Sequence, residues 1–277
     1  MLKPKTLMTG IGLGESPRWH QGRLWFADWV AQELIALDVD GTHEVITHVR
    51  SLPFSIAWLP DGPMLVTSGT HLLRMEPDGS LVTHADLGGL SQYGWNEIVI
   101  DDRANTYVNN ICFDFMAGAD FAPGIIALVT PDGSVRQVAD GMAFPNGMIV
   151  TPDNSTLIVA ESFAGRLSAF DIEPDGGLSN RRVWAELGEG GDGMCMYADG
   201  AVWTPAGKTC LRVAEGGEVL ERIELECFGF ASMLGGPEGR TLFILTADWS
   251  GTENVGKGPR TGSVLTVEAP AAHVGHP

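Results

Sequence analysis

The sequence predicts an all-β fold, a six-bladed β-propeller with four antiparallel strands per blade. Three observations carry that prediction. The first is a recurring layout of a polar residue, a short apolar strand, a Pro/Asp/Gly turn and a second apolar strand. Its clearest copy runs Phe144-Pro145-Asn146-Gly147-Met148-Ile149-Val150-Thr151-Pro152-Asp153. The second is the period. Copies start at Glu15, Ser55, Asn96, Asn146, Asp192 and Ser232, in steps of 40, 41, 50, 46 and 40 residues. Repeats of roughly 40–50 residues made of short strands mark propeller blades. The third is turn chemistry: 36 glycines and 16 prolines in 277 residues suit many tight turns rather than long helices.

The elements follow in order. Residues 6–9 can form a short strand ahead of the first repeat, and the last repeat offers only three clear strands. The N-terminal segment is therefore expected to supply the missing outer strand and close the ring, which leaves few open edges. Second strands are expected at 24–27, 64–67, 106–108, 201–204 and 241–245. Blade three carries a long insertion over 109–123 that holds Phe113, Phe115, Met116 and Phe121. The hairpin turns Asp40-Gly41, Asp78-Gly79, Asp132-Gly133, Asp175-Gly176 and Gly216-Gly217 fall between apolar strands. Type I′ turns need positive φ, and these residue pairs supply it. The domain reading is a single propeller over 1–268 and a mobile tail over 269–277, with no linker.

Composition narrows the partners. Acidic residues number 35 against 17 basic, a formal net charge of −18. Nucleic acid and anionic membranes both need a cationic face, so neither is expected as a partner. No run of about 18 apolar residues is present, and the N-terminus lacks a signal-peptide core. Cys112, Cys195, Cys210 and Cys227 have no CxxC spacing and read as free thiols. A cytoplasmic location and a monomer or small homo-oligomer are the expectations.

Inner strands of a propeller line its central channel, so the six starting residues should meet at one mouth. Four of the six (Glu15, Asn96, Asn146, Asp192) offer a carboxylate or amide oxygen. Converging carboxylates repel unless a cation lies between them. Oxygen donors without His or Cys favour a hard divalent ion, Ca²⁺ or Mg²⁺, with Mn²⁺ as a further choice. The alternative is that Asn and Asp simply begin strands as turn residues.

With these motifs in view, the chain resembles the gluconolactonase/senescence-marker-protein-30 (regucalcin-like) family of six-bladed propellers. The resemblance rests on Gly14-Glu15-Ser16-Pro17-Arg18-Trp19, on Asn96 followed by an acidic residue, on Phe144-Pro145-Asn146-Gly147 and on Asp192-Gly193. It implies a divalent cation, Ca²⁺ foremost with Mg²⁺, Mn²⁺ or Zn²⁺ as alternatives, held by Glu15, Asn146 and Asp192. It implies that Asn96 lies in the metal or substrate shell and that Asp192 activates water. The activity implied is metal-dependent hydrolysis of a small-molecule lactone or related ester.

Sugar-lactonase members of that family often carry an arginine two residues before the position of Asn96. Gly94 stands there, followed by Trp95. Trp19, Trp95 and Phe144 are expected around the mouth as substrate contacts, with Phe113, Phe115 or Phe228 as further candidates. An aromatic rim points to a more apolar substrate. The alternative for each ring is packing between blades, and Glu97 reads either as a channel residue or as a solvated turn residue. Competing functions are an organophosphate or phosphoester hydrolase, a cyclase on the same site, and a non-catalytic calcium-binding propeller.

Overall fold

A computed structural model describes residues 3–276 and bears out the propeller. Six antiparallel sheets of short strands follow one another around a ring, and no α-helix occurs among the described residues. Blade one comprises Gly14–His20, Arg23–Asp28, Glu33–Leu37 and His43–His48, counted outward from the channel. Blade two comprises Ile56–Trp58, Met64–Ser68, His71–Met75 and Leu81–Asp86. Blade three runs Ile98–Ile100, Thr106–Asn110, Gly124–Val129 and Val135–Met142, and blade four Pro145–Val150, Thr156–Glu161, Arg166–Ile172 and Leu178–Glu186. Blade five has Cys195–Tyr197, Val202–Ala206, Thr209–Val213 and Val219–Glu224. Blade six has Phe228–Gly235, Thr241–Ala247 and Gly262–Glu268, and its outermost strand is Lys5–Ile11 from the N-terminus, paired antiparallel to Gly262–Glu268. The ring closes as the sequence predicts.

Period-two alternation builds the core. Successive side chains of a strand point to opposite faces of its sheet, so each blade offers one apolar face to each neighbour. In Thr106–Asn110, Tyr107 packs with Met148, Leu157 and Phe170 of blade four, and Val108 packs with Leu65 and Leu72 of blade two. The Tyr107 hydroxyl donates to Gly176 O at 3.0 Å, so its polar end is satisfied at the same interface. Similar clusters lie between the other blades.

Residues 269–276, expected to form a mobile tail, dock instead beneath blades four and five. His273–Val274 pairs with Met196 and Tyr197 on the inner edge of blade five, and His276 forms a bridge with Val150 of blade four. Pro277 lies outside the described residues. Among the described residues no helix is long and apolar enough to cross a membrane.

Candidate functional site

The inner strands start at one rim, and two glycines set how closely they approach. A Cβ on Gly147, the residue after Asn146, would lie 2.4 Å from Asp192 O and 2.9 Å from Gly193 Cα. A Cβ on Gly193, the residue after Asp192, would lie 2.6 Å from Ala231 Cβ. Only a residue without a side chain fits either place. The approach is secured by backbone bonds: Gly193 N–H donates to Phe230 O at 2.9 Å and Ser232 N–H to Gly193 O at 3.0 Å. Each Gly in these pairs therefore exists to bring its preceding polar residue to the axis.

Glu15, Asn96, Asn146 and Asp192 line one cavity of about 530 Å³ at this rim. Glu15, Asn96 and Asn146 are buried, and Asp192 is half-buried. Ser55 and Ser232 sit behind them and are spent on the framework. Ser55 Oγ donates to Glu97 Oε1 at 2.7 Å, and Ser232 Oγ to Trp203 O at 3.1 Å.

Glu97 is a channel residue, buried and paired with Arg18 of blade one at 3.1 Å. The Arg18 guanidinium crosses the channel and also donates to Ile98 O at 2.7 Å. Sequence reasoning left Glu97 undecided and missed Arg18. Both lie within the quoted motifs, but their pairing across 79 residues has no local signal.

Electrostatics single out two carboxyls. Burial pushes Glu15 well above the usual carboxylate range, and repulsion from Asp192 and Glu97 pushes it further. Burial raises Asp192 likewise, with Glu97 adding to it, against hydrogen bonds from Gly193 N–H and the Asn146 amide. Gly193 N–H meets Asp192 Oδ1 at 2.9 Å. The two amides are oriented by their NH₂ groups. Asn96 Nδ2 donates to Pro145 O at 3.3 Å, and Asn146 Nδ2 donates to Ser162 Oγ at 3.3 Å. Ser162 Oγ in turn donates a hydrogen bond to Gly191 O at 2.7 Å. That arrangement leaves the Oδ1 lone pairs of both amides as acceptors.

Among the described residues no cluster of three His, Cys, Asp or Glu side chains is arranged to hold a metal. The donor set at the cavity is mixed: two carboxylates at odds with each other and two amide oxygens. Its chemistry fits a hard divalent cation, for which oxygen-only, partly neutral ligands are normal.

The aromatic expectations divide. Phe144 lines the cavity, as do Phe113, Phe115 and Phe228. Trp95 does not: it is fully buried among Leu65, Leu72 and Val108 between blades two and three. Trp19 does not either. It stacks on Phe243 at 5.6 Å between ring centroids and borders a small cavity at the opposite end of the channel. Trp19 stands four residues along the inner strand from Glu15, about 13 Å at ~3.3 Å per residue, and a β-bulge between Glu15 and Arg18, where Ser16 has φ +50°, shifts the side-chain alternation between them. Gly94 faces the cavity, and a Cβ there would lie 3.2 Å from Pro53 Cδ. Sequence reasoning missed Ser162, Phe163, Tyr93, Phe230 and Trp249 in the lining; Phe230 lies at the start of the inner strand of blade six, and the others come from segments after second strands or just before an inner strand, which carry no repeat signal.

Comparison with known proteins bears on the fold and the family. The chain is 25% identical over 268 residues to the pentonolactonase of Haloferax volcanii, covering 93% of this chain and 89% of that protein. In three dimensions it resembles a luciferin-regenerating enzyme with a TM-score of 0.86 at 15% identity, over 99% of this chain and 98% of that one. It also resembles a regucalcin of Agrobacterium tumefaciens described as a calcium-binding protein, with a TM-score of 0.79 at 20% identity over 99% and 97% of the two chains. These structural likenesses show the fold. Residues 13–248 match the SMP-30/Gluconolactonase/LRE-like region, so the chain belongs to that family.

Proposed function

We propose that the protein is a divalent-metal-dependent hydrolase of a small lactone or related ester. The observation that carries this reading is the pair Glu15 and Asp192, two carboxyls held in one cavity where burial and mutual repulsion oppose their ionisation. Burial and like charge disfavour the ionised form of such a pair, and a positive charge beside it favours that form. Arg18 is paired with Glu97 and offsets only part of the rise at Glu15, and no Arg, Lys or His is among the described residues that line the cavity. The pentonolactonase relative supports the reaction class, and the regucalcin likeness supports a cation.

Glu15, Asn146 and Asp192 would hold the cation, with Asn96 beside them. When bound, it supplies Lewis-acid polarisation of the substrate carbonyl. Asp192 does the proton work. Its Oδ1 is held by the Gly193 N–H, so Oδ2 is the atom that takes a proton from water. The water oxygen bonds to the carbonyl carbon, the C–O bond of the lactone ring breaks, and the proton on Oδ2 passes to the released oxygen. The product is a hydroxy acid. Ser162 and Pro145 keep both amides in place through this sequence.

The test is turnover of a lactone panel with and without chelator, on wild type and on Asp192→Asn. The expected result is chelator-sensitive turnover, restored by Ca²⁺, Mg²⁺ or Mn²⁺. It should fall by about 10²-fold or more in the variant while the cation still binds. Unchanged turnover in Asp192→Asn removes it as the base. A bound cation with no turnover of any lactone or ester leaves the non-catalytic propeller.

A further inference from the structure

Five phenylalanines form a continuous wall on one side of the mouth. Phe113, Phe115, Phe121, Phe144 and Phe163 have ring-centroid separations from 4.6 Å (Phe144–Phe163) to 6.2 Å (Phe113–Phe115 and Phe113–Phe163). They are not merely core. Phe163 is 52% exposed and Phe121 51%, whereas burial of such rings is worth on the order of 2–3 kcal/mol each. An aromatic group left this open beside a reactive cavity is a surface made for contact.

The wall is also fastened to the reacting groups. Phe144 is two residues before Asn146, and Phe163 directly follows Ser162, the partner of the Asn146 amide. Ser162 N–H donates to Phe144 O at 3.0 Å, and Phe163 N–H donates to Ala143 O at 3.1 Å. Ala143 N–H is itself held by Glu161 Oε2 at 2.7 Å. Phe144 sits at φ +61°, a left-handed conformation that is costly for a bulky residue and persists where surrounding bonds impose it. Those bonds aim its ring over the cavity rather than into the blade interface.

The rest of the lining is neutral or acidic. The charged residues among those described are Glu15, Asp114 and Asp192, and Gly94 offers no side chain. A substrate bearing an anionic group meets no cationic side chain among the described lining residues, and the wall itself offers hydroxyls no partner.

From this we infer that the substrate is a neutral lactone with an apolar arm, an aryl ring or short alkyl chain, whose arm lies on Phe115, Phe144 and Phe163 while its carbonyl faces Glu15, Asn146 and Asp192. The inference rests on the hydrolase reading above for the reaction, and on the wall alone for the arm. Phe115 and Phe163 are specificity-determining residues: they act on the arm and not on the carbonyl.

The experiment compares kcat/KM for γ-butyrolactone, γ-phenyl-γ-butyrolactone and an aldonolactone on the cation-loaded protein, wild type and Phe115→Ala and Phe163→Ala. In parallel, calorimetry measures binding of the phenyl-substituted and unsubstituted γ-butyrolactams, which report the arm without turnover. Phe163 is exposed and Phe115 half-buried, so neither change threatens the fold. The phenyl lactone should be favoured over the unsubstituted one by about 10–200-fold. Each alanine should cut that ratio severalfold, and the phenyl lactam should show the same ranking in binding. A preference for the aldonolactone, or a phenyl preference that both alanines leave intact, overturns the inference and leaves the hydrolase reading standing. Tighter binding of the phenyl lactam that falls in both variants, without turnover of any lactone, supports the wall and removes the reaction. No arm dependence in either measurement overturns the inference as well.

Discussion

Gly147→Ala tests whether close approach of the inner strands is what makes the site. The added methyl would sit 2.4 Å from Asp192 O and 2.9 Å from Gly193 Cα. Both obstacles are backbone, so no side chain can swing aside. Real Cβ contacts essentially never fall below 3.0 Å, so one strand must retreat by about 0.6 Å or more. Overpacking of this kind costs about 1–3 kcal/mol, or on the order of 3–9 °C in Tm for a domain of this size. The retreat also separates Asn146 from Asp192, and a misplacement near 1 Å costs about 10²-fold in rate. The control is Gly89→Ala, where no heavy atom lies within 4 Å of the new methyl. Scanning calorimetry, Ca²⁺ titration and lactone turnover would be run on both. A Gly147→Ala protein that matches the Gly89→Ala control in all three refutes the packing argument, because the strands would then have slack the structure does not show.

Two further predictions concern carboxyls with opposite shifts. Glu161 is buried, which alone would raise it. Hydrogen bonds from Ser168 at 2.5 Å, from the Ala143 N–H, and from Arg181 and Arg166 outweigh burial and hold it at about 2, from 4.5. At about 1.4 kcal/mol per unit this is on the order of 3 kcal/mol. Because the folded value is depressed, the contribution is complete above 4.5 and is lost as pH falls through about 2. Glu161→Gln should therefore be less stable at pH 7, and its deficit against wild type should shrink by pH 3 in urea titrations; an equal deficit at both pH values contradicts the assignment. Glu15 and Asp192 are raised, so in the chelated protein their ionisation is a growing penalty as pH rises above the ordinary carboxylate range. Chelated wild type should lose stability relative to Asp192→Asn as pH rises above the ordinary carboxylate range, and excess Ca²⁺ should abolish that loss. A wild-type-minus-variant difference flat in pH counts against the coupled pair.

The fold was legible because it repeats. Strands expected at 24–27, 64–67 and 241–245 are observed as Arg23–Asp28, Met64–Ser68 and Thr241–Ala247, and the outer strand at 6–9 as Lys5–Ile11. Six noisy copies of one layout constrain each other as a single strand cannot. The tail escaped notice because its order comes from elsewhere. Its Pro270-Ala271-Ala272 start has no strand pattern, and its pairing is offered by the free inner edge of Cys195–Tyr197, a tertiary feature. His276 adds a contact to Asp102 at 3.0 Å that joins positions 174 residues apart.

The site divides along the same line, and the bulges explain where. Equivalent positions in the repeat located Glu15, Asn96, Asn146 and Asp192, since each inner strand must begin at the same rim. Strict alternation beyond that point then misleads. The inner strands of blades one and four both slip register just after their polar residue, between Glu15 and Arg18 and between Pro145 and Met148. Bulges of this kind re-aim side chains next to functional sites. In blade one the slip turns Arg18 into the channel, where it meets Glu97, and sends Trp19 to the blade-six interface against Phe243. The same irregularity thus supplies the counter-charge for one acidic residue. With Arg18 so engaged, Glu15 and Asp192 share a cavity with no cationic side chain from the described lining. A regular strand would have aimed Arg18 elsewhere and left Glu97 as a third uncompensated carboxylate. The bulge therefore sets how much negative charge remains for a divalent cation to balance.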